Sequence, residues 1–182
     1  MKDLKIVNGK FPDFENESWI EADILIHDGK IEKIGTVTEE CAQVIDASGK
    51  VVSPGFIDIH AHEDEFKGSR EDDFFTAGRG LLMGVTTQIV GNCGDMYNSM
   101  ETLASRIDKE GAPVNFMTFI GQNYLREQVG ADDRYKASTG EQLEKMKKLL
   151  KDTKKYAPVG LSCGFEYAPG VTAEETIELA RV

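Results

Sequence analysis

The chain has 182 residues, 40% of them hydrophobic, enough to bury a sizeable core and too many for a disordered chain. Asp and Glu number 32 against 21 Lys and Arg, giving a net charge of -11 and a pI near 4.8. That balance offers no basic face for nucleic acid. The apolar runs are strand-sized, short of the ~20 residues that span a bilayer, so no membrane partner is expected. MKDLKIVNGK lacks the apolar core of a secretory leader, which makes the cytoplasm the expected compartment. Cys41, Cys93 and Cys163 are odd in number and widely spaced, which argues for free thiols rather than a disulfide framework.

Residues 1–53 read as a β segment, with LKIV, ADILIHDGKIEKIG and AQVIDASGKVV as its strands. Asp28-Gly29 lies between two alternating stretches and predicts a type I′ hairpin, whose central residues need positive φ. His27, beside that turn, reads as a solvated hairpin residue. So short a sheet needs further strands to complete its core.

From residue 54 the pattern becomes strand then helix, four times over. VVSPGFIDIH leads to a helix ending near Gly84, and VTTQIV to a helix from Ser99 to Lys109 closed by Gly111. VNFMTFI precedes a helix opened by a capping box of Ser138 and Glu141 and stopped by Pro158. GLSCGF precedes a helix opened by Thr172 and Glu175. Near-continuous apolar strands alternating with amphipathic helices predict an α/β fold with a parallel sheet, either doubly wound or a barrel. A (β/α)8 barrel needs roughly 250 residues, so residues 54–182 would make its first four units, truncated.

Reactive groups gather at the carboxyl ends of parallel strands. All four predicted strands end in polar residues: Asp58, His60, His62 and Asp64; then Asn92 and Cys93; then Gln122 and Asn123; then Glu166 and Tyr167. On a strand, Asp58, His60 and His62 share one face, while Ile57, Ile59 and Ala61 share the other and can meet helices. The two imidazoles, with Cα atoms about 6 to 7 Å apart, can reach one cation. The plain alternative is two histidines that only satisfy hydrogen bonds. Asp58 is placed to brace them from behind. Cys93, between Asn92 and Gly94, reads as a thiolate ligand or as a small buried residue; Cys41 and Cys163 read as core filler. Arg126 reads as an anchor for an anionic substrate or as a surface ion pair.

SPGFIDIHAHED resembles the first-strand signature of the amidohydrolase superfamily. GVTTQIVGNCG and GLSCGFEYAPG resemble its N-acyl-D-amino-acid deacylase (D-aminoacylase) branch, and HDGKIEKIG with VIDASGKVVSPG resembles the superfamily's amino-terminal β-sandwich. The resemblance implies a (β/α)8 barrel holding one or two Zn2+ and hydrolysing N-acyl-D-amino acids to a carboxylate and a D-amino acid. It makes His60, His62 and Cys93 metal ligands, Glu166 a further candidate ligand, and Tyr167 a substrate-binding residue, with Asp58 and Asp64 supporting the ligands. It also implies two more histidine ligands and a catalytic aspartate beyond Val182, so the chain reads as an amino-terminal portion, inactive alone. Two other functions stay open: a cyclic amidase of the hydantoinase or dihydroorotase kind, and a non-catalytic half-barrel that self-associates through its open edges. Cyclic amidases favour a bridging lysine on the fourth strand, and residues 159–170 contain none.

Overall fold

The computed structural model describes residues 1–182, apart from the side chains of Arg70 and Glu71. Two compact units result, Met1–Pro54 and Gly55–Val182.

The first unit is a four-stranded sheet of β1 (Lys2–Asp13), β2 (Ser18–His27), β3 (Lys30–Gly35) and β4 (Cys41–Asp46) in the order β3-β2-β1-β4. β1 pairs antiparallel with β2 and parallel with β4, while β2 and β3 form the hairpin. Asp28 (φ 50) and Gly29 (φ 68) both take the left-handed conformation that a type I′ turn requires. Ile24, Leu25, Val37 and Ala47 are buried, whereas Ile31, Ile34, Val44 and Ile45 stay exposed. A four-stranded sheet with few covering residues buries one set of side chains and leaves the other in water.

The second unit alternates short parallel strands with helices. β5 (Phe56–Asp58), β6 (Val85–Val90) and β7 (Asn115–Thr118) form one parallel sheet, and β8 (Ile120–Gly121) pairs in parallel with β9 (Leu161–Ser162). Phe119 is the joint between them: its amide still bonds Val90 O (2.9 Å), while the next amide, Ile120 N, bonds Gly160 O (2.9 Å). One chain segment thus passes from β6 as neighbour to β9. The helices are α1 (Arg70–Asp73), α2 (Phe75–Leu82), α3 (Met100–Glu110), α4 (Gln122–Gln128), α5 (Gly140–Thr153) and α6 (Ala173–Ala180).

Caps explain the helix boundaries. Ser99 accepts from Thr102 N and Gly111 (φ 71) closes α3. Thr172 Oγ1 accepts from Glu175 N at the start of α6. α5 opens one residue later than its sequence suggests, with a capping box of Thr139 and Gln142. Ser138 Oγ instead accepts from Arg126 Nη1 at 2.8 Å. Met96, Met100, Ile120, Leu125, Met146, Leu150 and Leu179 make the larger core between α4, α5 and α6; Phe74, Ala77 and Val114 make a second cluster.

Two expectations need correction. The first barrel-type strand covers only Phe56–Asp58, so the histidines lie past its end, although Ala61 N still bonds Ile89 O (3.1 Å). Ile57 and Ile59 do not meet helices and are 61% and 71% exposed, because α2 packs on β6.

Candidate metal centre

The site forms where β5 and β6 run out. Asp58 Oδ1 accepts from the His60 amide at 3.1 Å, so the carboxylate holds the backbone of the first histidine. The His60 and His62 rings stand edge to face with centroids 5.8 Å apart. Both side chains are exposed, whereas Ala61 between them is buried against Val90 and Leu103. The buried alanine anchors the tripeptide and turns both imidazoles outward.

Cys93 comes from the 3-10 turn Asn92–Gly94 that follows β6. Its φ of 60° is left-handed, a conformation that costs a side-chain-bearing residue roughly 1 kcal/mol or more and persists where surroundings enforce it. Gly91 (φ 73) and Gly94 (φ 81) flank it. Four contacts do the enforcing. Asn92 Nδ2 donates to Ile89 O (2.8 Å) and to Ala61 O (3.0 Å), tying the cysteine turn to the histidine tripeptide. Gly94 N donates to Ser162 Oγ at 3.1 Å. Gly164 packs so closely on the Cys93 carbonyl that a Cβ there would overlap it. The result places Cys93 Sγ 3.4 Å from His60 Nε2.

One donor atom each from His60, His62 and Cys93 lie within 4.8 Å of one another. Tetrahedral zinc with Zn–S near 2.3 Å and Zn–N near 2.0 Å sets its sulfur and nitrogen ligands about 3.5 Å apart, close to the Sγ–Nε2 distance. Two imidazoles and a thiolate are the donor set that zinc favours, so the residues present fit that ion. An open cavity of about 610 Å³ lies alongside, walled by Asp58, His60, His62, Glu63, Asp64 and Tyr97. That volume accommodates a small organic molecule.

The other sequence candidates have further partners. Asp64 binds Thr76 N (2.8 Å) and Thr76 Oγ1 (2.7 Å), so it caps α2, whose own N-cap position, Phe74, has no side-chain oxygen to offer. Glu166 is not among the converging donors; its carbonyl accepts from Arg134 Nη2 at 3.2 Å. Tyr167 lines a smaller cavity of about 180 Å³ together with Asn123, Arg126 and Arg134. Arg126 is not a surface pair: it is buried and bonded to Glu175, Ser138 and two carbonyls. Burial pushes the Cys163 thiol up, with Glu175 adding to the effect, so this cysteine is the poorer thiolate. His27 is half-buried rather than freely solvated. Sequence reasoning missed the clasp role of Asn92 and the bracing by Asn123, whose Nδ2 donates to Cys93 O (3.4 Å) and Asp95 Oδ1 (3.3 Å). The glycines around Asn92 and Cys93 were the available signal, since they mark backbone held at close quarters.

Residues 43–178 match the family model described as the amidohydrolase family. The D-aminoacylase of Alcaligenes xylosoxydans xylosoxydans is 30% identical over 98% of this chain and 41% of its own length. A dihydroorotase of Streptococcus pneumoniae is 35% identical over 66% of this chain and 30% of its own. An N-acyl-D-glutamate deacylase of Bordetella bronchiseptica, solved with zinc and a phosphonate mimic of the reaction's tetrahedral intermediate, superimposes with a TM-score of 0.80. It is 28% identical, and the match covers 99% of this chain and 42% of that one. The chain therefore spans about two fifths of the length of these deacylase relatives.

Proposed function

The chain belongs to the amidohydrolase family, and from that premise we propose that it carries the metal-binding portion of a zinc-dependent N-acyl-D-amino-acid deacylase. The observation that carries this reading is Cys93, turned to φ 60 and set 3.4 Å from His60 Nε2. His60, His62 and Cys93 would hold the ion. When bound, zinc supplies Lewis acidity that activates water and polarises the amide carbonyl. The chain's own residues supply position. Asp58 fixes the His60 backbone, Asn92 fixes Cys93 against the histidine pair, and the cavity beside them receives the acyl amino acid. Tyr167, which lines the smaller cavity, would bind a substrate oxygen through its hydroxyl.

In this reading the parallel strands β5 to β9 are the first staves of a (β/α)8 barrel, and the leading sheet belongs to the β-sandwich that accompanies it. The further ligands and the proton-transferring aspartate that the resemblance implies are not among these residues. The isolated chain should therefore hold zinc without turnover. Opening of cyclic amides is the second reading, favoured by the dihydroorotase relative and opposed by the absence of lysine from residues 159–170.

Ligand-observed NMR on the zinc-loaded chain separates the two. N-acetyl-D-amino acids should bind, their L enantiomers and dihydroorotate should not, and His60→Ala should abolish the signal. Binding of dihydroorotate alone, or steady release of free D-amino acid by the purified chain, would overturn the assignment in substrate or in completeness.

A further inference from the structure

Besides Asn92, a second set of bonds ties the histidine segment to the stretch after the cysteine turn, and it converges on one exposed aromatic residue. Glu63, which follows His62, is only 5% exposed, and its Oε1 accepts from the Tyr97 amide at 2.9 Å. Asn98, also buried, donates from Nδ2 to Asp64 O (2.8 Å) and accepts at Oδ1 from the Phe66 amide (3.2 Å). Met96, on the other side, belongs to the larger core. The backbone of Tyr97 is therefore pinned on both flanks, while Tyr97 itself stays 64% exposed and walls the cavity of about 610 Å³ beside His60 and His62.

A single exposed aromatic side chain is ordinary on a protein surface. Tyr97 differs in that its backbone is fixed before any ligand arrives, so a contact made by its ring costs little in ordering. It also stands in contrasting company. The same cavity is walled by the carboxylates of Asp58, Glu63, Asp64 and Glu65, and by no Lys or Arg among the described residues. A ligand ring finds its partner at Tyr97, whereas an anionic substituent meets like charge.

We infer that Tyr97 is a specificity-determining residue that selects acylated D-amino acids presenting a ring to it and disfavours those presenting a second carboxylate. Glu63 is its positioning residue, acting through the Tyr97 amide. The inference rests on the deacylase reading above and adds the class of substrate to it.

Calorimetric titration of the zinc-loaded chain with N-acetyl-D-phenylalanine, N-phenylacetyl-D-alanine, N-acetyl-D-alanine and N-acetyl-D-glutamate tests it. At least one of the two ring-bearing compounds should bind about fivefold tighter than N-acetyl-D-alanine, and which one does so tells whether side chain or acyl group faces Tyr97. N-acetyl-D-glutamate should bind most weakly. Tyr97→Ala should erase the advantage of the ring and Tyr97→Phe should keep it. Glu63→Ala, which removes the acceptor, should narrow the advantage, and Glu63→Gln, whose amide oxygen can still receive the Tyr97 amide, should restore it. The advantage is a ratio of two affinities within one protein, so a variant that merely loosens the fold lowers both and leaves the ratio in place. A ring preference that survives Tyr97→Ala, equal binding of all the compounds by the wild type, or tightest binding of N-acetyl-D-glutamate would overturn the inference while leaving the deacylase reading standing. Binding of none of them would overturn that reading, and the inference with it.

Discussion

Replacing Arg126 by methionine tests how the second unit is held together beneath its cavities. The guanidinium donates from Nη1 to Glu175 Oε2 (2.9 Å) and Ser138 Oγ (2.8 Å), and from Nη2 to Lys136 O (2.7 Å) and Asp133 O (3.2 Å). Glu175 accepts a further bond from Gln122 Nε2 at 2.9 Å, and the Arg126 and Glu175 side chains are each only 3% exposed. Removing the arginine strands a carboxylate in the core, a change worth about 3–5 kcal/mol. Against a whole-domain stability of about 5–15 kcal/mol, that is a large fraction. With a urea slope near 2 kcal/mol/M, the midpoint should fall by about 2 M. Far-UV circular dichroism is the right probe, because all the helices belong to Gly55–Val182 while the sole tryptophan, Trp19, sits in the leading sheet. Arg126→Met/Glu175→Leu should recover much of the loss, since it removes both charges together. A loss below about 1 kcal/mol for Arg126→Met, the value of an exposed pair, would refute the claim that this pair is desolvated and structural.

Three further outcomes follow from the same geometry. Asn92→Ala deletes two buried hydrogen bonds at about 1 kcal/mol each and frees Cys93 from the histidine tripeptide, so stability should fall by about 2 kcal/mol and zinc affinity at least tenfold in a competition titration. Asp64→Ala should cost about 1 kcal/mol as the lost cap of α2 yet leave zinc affinity unchanged, and a large loss of zinc would return Asp64 to the metal site. Glu127 titrates above the ordinary glutamate range because of partial burial, then Asp95 and Asp132. The folded state therefore holds its proton more tightly than the unfolded state, and that stabilisation is present below about pH 4.3 and lost as pH rises through the raised value. Glu127→Gln should consequently gain stability over the wild type at pH 7 and match it near pH 4, measured as urea midpoints at both; a lower midpoint for the variant at pH 7 would contradict the shift.

What the sequence disclosed and what it hid divide along physical lines. Local signals transferred well: Asp28-Gly29 at the hairpin, Ser99 and Gly111 around α3, and Thr172 at α6 each depend on neighbours within a few residues. His60, His62 and Cys93 were legible as strand-end residues because their positions follow from alternation and chain order. Long-range partnerships were not. Arg126 and Glu175 are 49 residues apart, and Arg126 also donates to Ser138, which reads as a cap in the sequence. Asp64, adjacent to the histidines in sequence, was drawn to Thr76 because α2 lacked a cap of its own. Glu166 reads as a strand-end residue in sequence, but β9 stops at Ser162 and the Glu166 carbonyl accepts from Arg134.

The convergence of two imidazoles and one sulfur is most directly measured by cobalt. Co2+ bound at this centre in the purified chain should show a thiolate-to-cobalt charge-transfer band in the near ultraviolet. Cys93→Ser should abolish the band, whereas Cys163→Ser and Cys41→Ser should leave it intact. A band that survives Cys93→Ser, or Co2+ binding that never shows one, would contradict the metal centre itself.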